Sequence, residues 1–201
     1  MPVDYFQTLY DLIREKALPV DKFGHQPRLD HLIQLVGTGL DYDRDVVRGA
    51  AWLHDLGVFI GNRPETPEEL SRWDHVAYAC SHAPAILRGA GFPENKIPAV
   101  LEVIRQHQPH DEPTTIEATI LRDADILEQL GAIGILRTVS KVGRDTRFSR
   151  FTDAVVALRR NLAHLPGKIR LETTRRLAAP RIAVLEAFLG AVDDESGPNL
   201  F

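Results

Sequence analysis

The sequence predicts an all-α protein, and three observations carry that prediction. Apolar residues recur at i, i+3, i+4 and i+7 along most of the chain, no stretch sustains period-two alternation, and glycine, proline or a capping residue punctuates the periodic segments. At 201 residues, 44% of them hydrophobic, the chain can bury a sizeable core and fits a single helical domain over residues 1–201. Its core would span about 25–135, with a helical C-terminal cap over about 136–192.

The elements follow in order. Val3 to Ala17 places Tyr5, Phe6, Leu9, Tyr10, Leu12 and Ile13 on one face, and Pro19 follows. His25 to Gly39 carries Leu29, Leu32, Ile33 and Val36, with His31 beside that stripe and Gly37-Thr38-Gly39 closing it. Asp43 to Leu56 is a third helix, apolar towards an end that reads Trp52-Leu53-His54-Asp55-Leu56-Gly57. Neighbouring helical side chains point about 100° apart, so His54 and Asp55 can share one ion only near a helix end. Gly57 suits that place because glycine tolerates positive φ.

A loop from Gly57 leads to Thr66-Pro67-Glu68-Glu69, with an N-cap, a proline at N1 and first-turn acids. The helical segment carrying His75 and His82 ends at Gly89-Ala90-Gly91, and Pro84 is expected to interrupt it. Lys96 to His107 presents Ile97, Val100, Leu101, Val103 and Ile104, and a polar loop, Gln108 to Pro113, follows. Thr114 or Thr115 caps a helix through Leu130 that stops at Gly131. Phe151 to Leu165 and Leu171 to Val192 complete the chain, the last with a kink expected near Pro180.

A net charge of −4 points to no polyanionic partner, although Arg137 to Arg181 holds twelve basic side chains against three acidic ones. No nucleic-acid reading motif accompanies them, and no nucleic-acid partner is expected. The single cysteine, Cys80, excludes an intramolecular disulfide and suits a reducing compartment. Met1 begins a polar, acidic stretch without an apolar signal core, and no apolar run approaches the roughly 18 residues a bilayer requires. A cytoplasmic location with no membrane partner is expected.

Candidate ligands are spread over five of these helices: His31, the His54-Asp55 pair, His75, His107, and Asp123 with Asp125. Imidazole nitrogen and carboxylate oxygen suit Mn, Fe, Co, Ni and Zn, and bundles build such sites from inward residues on facing helices. His82 is assigned to packing, and His25, His110 and His164 to loops or the surface.

His31, His54-Asp55 and an aspartate in Arg122-Asp123-Ala124-Asp125-Ile126-Leu127-Glu128 resemble the H…HD…D signature of the HD-domain superfamily of metal-dependent phosphohydrolases. The resemblance runs from about His25 to Ala191. It includes the Asp123 to Gly134 segment and a tail, Thr173 to Arg181, similar to small bacterial single-domain members. It implies a divalent ion (Mn, Co, Ni, Fe, Zn or Mg) held by His31, His54, Asp55 and one of Asp123 and Asp125. Apolar periodicity places Asp123 on the buried stripe, whereas the family pattern matches Asp125 with Glu128. The motif match, resting on more residues, favours Asp125 and leaves Asp123 in a supporting role.

His75 and His107 stand where the two-metal subgroup has further ligands; otherwise they would bind phosphate or shuttle protons, with Asp74 orienting His75. The activity implied is hydrolysis of a small-molecule phosphate ester, nucleotides included, with Arg63, Arg137, Lys141 and Arg144 as candidate phosphate clamps. Val58 replaces a lysine common in cyclic-dinucleotide phosphodiesterases, and the acidic pair of alarmone hydrolases is missing. The histidine-rich loop of deoxynucleotide triphosphohydrolases is missing too. A di-iron oxygenase using His31, His54, Asp55, His75, His107 and Asp125 is one alternative, and a non-catalytic nucleotide-binding module is another. A homodimer is compatible with either.

Overall fold

A computed structural model describes residues 4–18, 22–145 and 147–200, and the fold is all-α. Among the described residues there are ten α-helices and no strand, only an isolated bridge between Ile60 and Arg63. No helix among them is long and apolar enough to cross a membrane. Val3 and Pro19 lie outside the described residues. The chain divides into two compact units, Met1–Arg122 and Asp123–Phe201.

In the first unit, α1 (Tyr5–Lys16) is capped by Asp4, whose carboxylate accepts from the Phe6 and Gln7 N–H groups, and it buries Phe6, Leu9 and Ile13. Helix α2 (His25–Val36) buries His25, Leu29, Leu32, Ile33 and Val36 along one stripe. Each such aliphatic side chain contributes roughly 1.5–3 kcal/mol. Helix α3 (Arg44–Leu53) starts at the Asp43 cap and is joined to α2 by a two-pronged Arg48–Asp30 pair of 2.8 and 2.9 Å. Its C-terminal half, from Gly49 to Leu53, is wholly buried against α6.

The short α4 (Pro67–Ser71) has the expected cap, Thr66 accepting from Glu69 N–H while its hydroxyl donates to the Glu69 carboxylate. Helix α5 (His75–Gly89) runs unbroken through Pro84, contrary to the expected interruption. One missing N–H is offset there by the burial of Ala79, Ala83 and Leu87. Helix α6 (Ile97–Arg105) stops short of His107. Thr115 is the residue that caps α7 (Ile116–Glu128), accepting from Ala118 N–H at 3.1 Å.

Gly57 is needed for space rather than for its dihedral angles, since its φ is not positive. A Cβ there would lie 2.6 Å from the His75 carbonyl oxygen, and the Gly57 carbonyl itself accepts from Trp73 Nε1 at 2.7 Å. The turn after His54-Asp55 is thereby seated on the start of α5. Gly57→Ala is expected to cost about 1–3 kcal/mol, as overpacking does. Calorimetry checks this as a fall in Tm; an unchanged Tm contradicts it.

The second unit holds the end of α7 together with α8 (Gly131–Val139), α9 (Phe151–His164) and α10 (Glu172–Ser196). The sequence reading has no helix where α8 forms; Gly131 and Gly134 mask its period, and both are buried. Helix α10 continues through Pro180, and Leu171, at the cap position before it, supplies no capping side chain. That role falls to the fully buried Asp123, whose carboxylate accepts from Arg170 N–H at 3.2 Å and Leu171 N–H at 2.8 Å. Two further bonds close the end of α7: Arg181 donates to the Leu127 carbonyl at 2.7 Å, and Arg137 pairs with buried Glu128 at 3.3 Å.

Candidate metal centre

Helix α3 ends one residue before His54. The His54 N–H still bonds the Ala50 carbonyl at 2.8 Å, but Asp55 already leaves helical geometry, with φ −95° and ψ 12°. The last carbonyls of a helix have no partner within it. The His54 imidazole takes one of them, Nδ1 lying 2.9 Å from the Ala51 oxygen. His107 repeats the device past the end of α6, with Nδ1 2.6 Å from the Ile104 oxygen. A carbonyl can only accept, so Nδ1 is the donor in both rings.

The two rings converge on one carboxylate. His54, Asp55 and His107 offer ligand atoms that all lie within 4.8 Å of one another. His25 Nε2 lies 3.3 Å from His54 Nε2 and 3.7 Å from Asp55 Oδ2, and His54 Nε2 is 3.7 Å from Asp55 Oδ1. The three rings are 3% exposed or less, and the Asp55 side chain 18%. Burial by itself would raise the Asp55 carboxyl, but His54, His25, Lys22 and His107 outweigh it and hold the group far below the usual carboxylate range. Three imidazoles and one ionised carboxylate at this separation form a donor set that fits a divalent transition ion.

His31 does not join them. It is exposed on α2, whereas His25, assigned above to the surface, is buried on the stripe of Leu29, Leu32, Ile33 and Val36. The physical reason is angular: His25 precedes Leu29 by four positions and Leu32 by seven, while His31 sits about 100° away from Leu32. The i, i+4, i+7 relation was the available signal.

His75, at the start of α5, stands beside the cluster, its ring centroid 6.1 Å from that of His107. The side chain meeting it is Gln108, at 3.3 Å between the two Nε2 atoms. Asp74, expected to orient His75, instead caps α5 by accepting from Ala77 N–H at 2.9 Å. His82 is exposed and stacks on Tyr78; His110 and His164 are exposed as expected. In the second unit Asp123 caps α10, and Asp125 Oδ2 accepts from Gln129 Nε2 at 3.0 Å.

Of the candidate clamps, Arg63 is half-buried in the loop after the His-Asp pair. Arg137 pairs with Glu128, the Lys141 ammonium lies 5.3 Å over the Phe148 ring, and Arg144 donates to the Ser140 carbonyl at 3.4 Å. Arg122, whose role the sequence left open, is 1% exposed and donates to the carbonyls of Gln108, at 3.3 Å, and Pro109, at 2.9 Å. It therefore fixes the loop that follows His107.

Residues 23–130 match the family model of the HD domain. No curated protein matches the chain. Among solved structures, it is similar to Bacillus subtilis YpgQ in complex with ADP, at 21% identity over 95% of this chain and 94% of that one, with a TM-score of 0.73. A predicted HD superfamily hydrolase from an uncultured Thermotogales bacterium is similar at 23% identity, over 96% and 94% of the two chains, with a TM-score of 0.64. An HD-superfamily hydrolase from Bacillus thuringiensis is similar at 21% identity, over 95% of each chain, with a TM-score of 0.68. At these identities the likeness establishes the fold.

Proposed function

Because the chain belongs to the HD-domain family, we propose that it is a metal-dependent hydrolase cleaving a phosphate ester of a small molecule, with nucleotides the first class to test. The observation that carries this reading is the pair of helix-end imidazoles whose Nδ1 atoms are locked to carbonyls and which, with the Asp55 carboxylate, offer ligand atoms within 4.8 Å of one another. A protein of the same fold, YpgQ, crystallised with ADP, which supports nucleotides among the substrates to screen.

His25, His54, Asp55 and His107 would hold the ion, and chain order assigns a further ligand to Asp125. When bound, such an ion supplies a water acidic enough to attack at neutral pH and positive charge facing the phosphoryl oxygens. The protein's own part is positional. His54 and His107 cannot turn without breaking their carbonyl bonds, and Asp55 stays ionised beside them. His75 meets the Gln108 amide at 3.3 Å, which orients its ring beside the cluster.

The test is a screen of phosphate esters, nucleoside mono-, di- and triphosphates among them, with Mn, Co, Ni, Zn and Mg, alongside metal analysis. Ion-dependent phosphate release that a chelator abolishes is expected. Retained iron with oxygen uptake and no phosphate release contradicts the reading, and so does tight nucleotide binding without turnover.

The two aspartates of α7 give a separate expectation. Asp123→Asn removes a charged acceptor from two N–H groups and should destabilise the fold by about 1.5–3 kcal/mol, seen as a lower Tm. Asp125→Asn should leave Tm near that of the parent and weaken metal binding by at least about tenfold. The reverse pattern, read by calorimetry and metal titration, assigns the ligand to Asp123.

A further inference from the structure

Beside the cluster, in the first unit, lies a cavity of about 460 Å³ whose lining includes Trp73, Asp74, His75, Arg105 and Gln108. That volume is in the range of small-molecule sites, roughly 300–1,000 Å³. Trp73 is its aromatic wall, and the indole is held from two directions. Its N–H donates to the Gly57 carbonyl at 2.7 Å, and the ring packs on Tyr78 with centroids 5.3 Å apart and planes tilted by 48°. Half of the side chain is still open, and it is part of the cavity lining. An aromatic face fixed in advance stacks on a planar ring without the cost of ordering a free side chain.

The polar lining favours neither sign of charge. Among the described residues, each of three side chains is tied to the fold through one atom. Asp74 accepts from Ala77 N–H through Oδ1, Gln108 meets His75 through Nε2, and Arg105 donates to Glu102 through Nη1. Asp74 Oδ2, the Gln108 amide oxygen and Arg105 Nη2 keep their capacity, so acceptors and a donor stand together. A ligand that matches them carries donors and acceptors along one edge and a flat π-face for the indole, as a nucleobase does. His75 also lines the cavity, and its ring centroid is 6.1 Å from that of His107, so a base held there adjoins a phosphoryl group held at the cluster. We infer that Trp73 is the seat of the substrate's nucleobase, which stacks on the indole while Asp74, Gln108 and Arg105 read its edge. The inference rests on the hydrolase reading above and narrows its substrates to nucleotides.

Nucleosides, which carry the base without the phosphate, test it in the full-length protein without metal. The chain has two tryptophans, and Trp52 is 3% exposed, so quenching of indole fluorescence by adenosine, guanosine, cytidine or uridine reports on Trp73. Saturable quenching by at least one nucleoside is expected, and ribose at the same concentration should give none. The affinity of that nucleoside, measured by calorimetry, should fall about tenfold or more in Trp73→Leu. Trp73→Phe loses the same bond to Gly57 but keeps a ring, and should recover most of the affinity. Gln108→Ala, which leaves the indole in place, should weaken binding severalfold. Circular dichroism checks that each variant keeps its helices. The inference is overturned if no nucleoside quenches, if ribose binds equally well, if Trp73→Leu binds like the parent, or if Trp73→Phe is no better than Trp73→Leu. Should nucleosides bind in this pattern while no ester is hydrolysed, the hydrolase reading fails and the seat stands. Hydrolysis of esters that lack a base, with no nucleoside bound, overturns the seat alone.

Discussion

His54→Ala and Asp55→Asn each lose bound metal and phosphate release together. Both residues sit where α3 has just ended, the only place at which adjacent side chains can face one point. Removing either takes one donor from a set whose atoms lie within 4.8 Å. An ion's contribution to such chemistry is several kcal/mol, and each step of about 1.36 kcal/mol is a factor of ten in rate. The expected loss in kcat/KM is therefore about a thousandfold or more, with the ion's Kd raised in parallel. Circular dichroism without metal should show that both variants keep the helical fold, His54→Ala at a lower Tm because it loses a buried ring and its bond to the Ala51 carbonyl. A variant keeping both metal and turnover removes that residue from the site.

His25→Ala should behave as these two do, and His31→Ala should behave as the parent. His25 is buried with its Nε2 3.3 Å from that of His54, while His31 is exposed on the same helix. Metal titration should show an affinity loss of at least about a hundredfold for His25→Ala and less than about twofold for His31→Ala. Kinetics on any ester found by the screen should separate the two variants in the same way. An intact His25→Ala enzyme with a dead His31→Ala partner would mean that α2 presents its other face to the substrate.

The helical architecture was legible because an apolar residue at every third or fourth position lines up into one stripe only on a helix. The Thr66 and Thr115 caps follow directly from local chemistry. The His54-Asp55 pair was legible for the same reason, being the point where an apolar helix stops. What escaped the sequence depends on contacts far apart in the chain. His31 and His25 differ by about 120° on one helix, and a motif read by order alone cannot choose between them. Gly57 invites a reading as a dihedral switch, yet its constraint is the His75 backbone, eighteen positions later. Asp123 carries a family-like motif position, and its carboxylate is occupied by a helix start almost fifty residues on. Pro84 within α5 shows packing overriding a local rule. Buried Arg122 could not be singled out because arginine is ordinarily a surface residue.

The most direct measurement is anomalous diffraction at the manganese edge from crystals of the protein grown with that ion. One strong peak is expected, within about 2.0–2.3 Å of His54 Nε2, His25 Nε2 and an Asp55 oxygen. No peak at that point, or a peak beside His31 instead, contradicts a metal centre built on the end of α3.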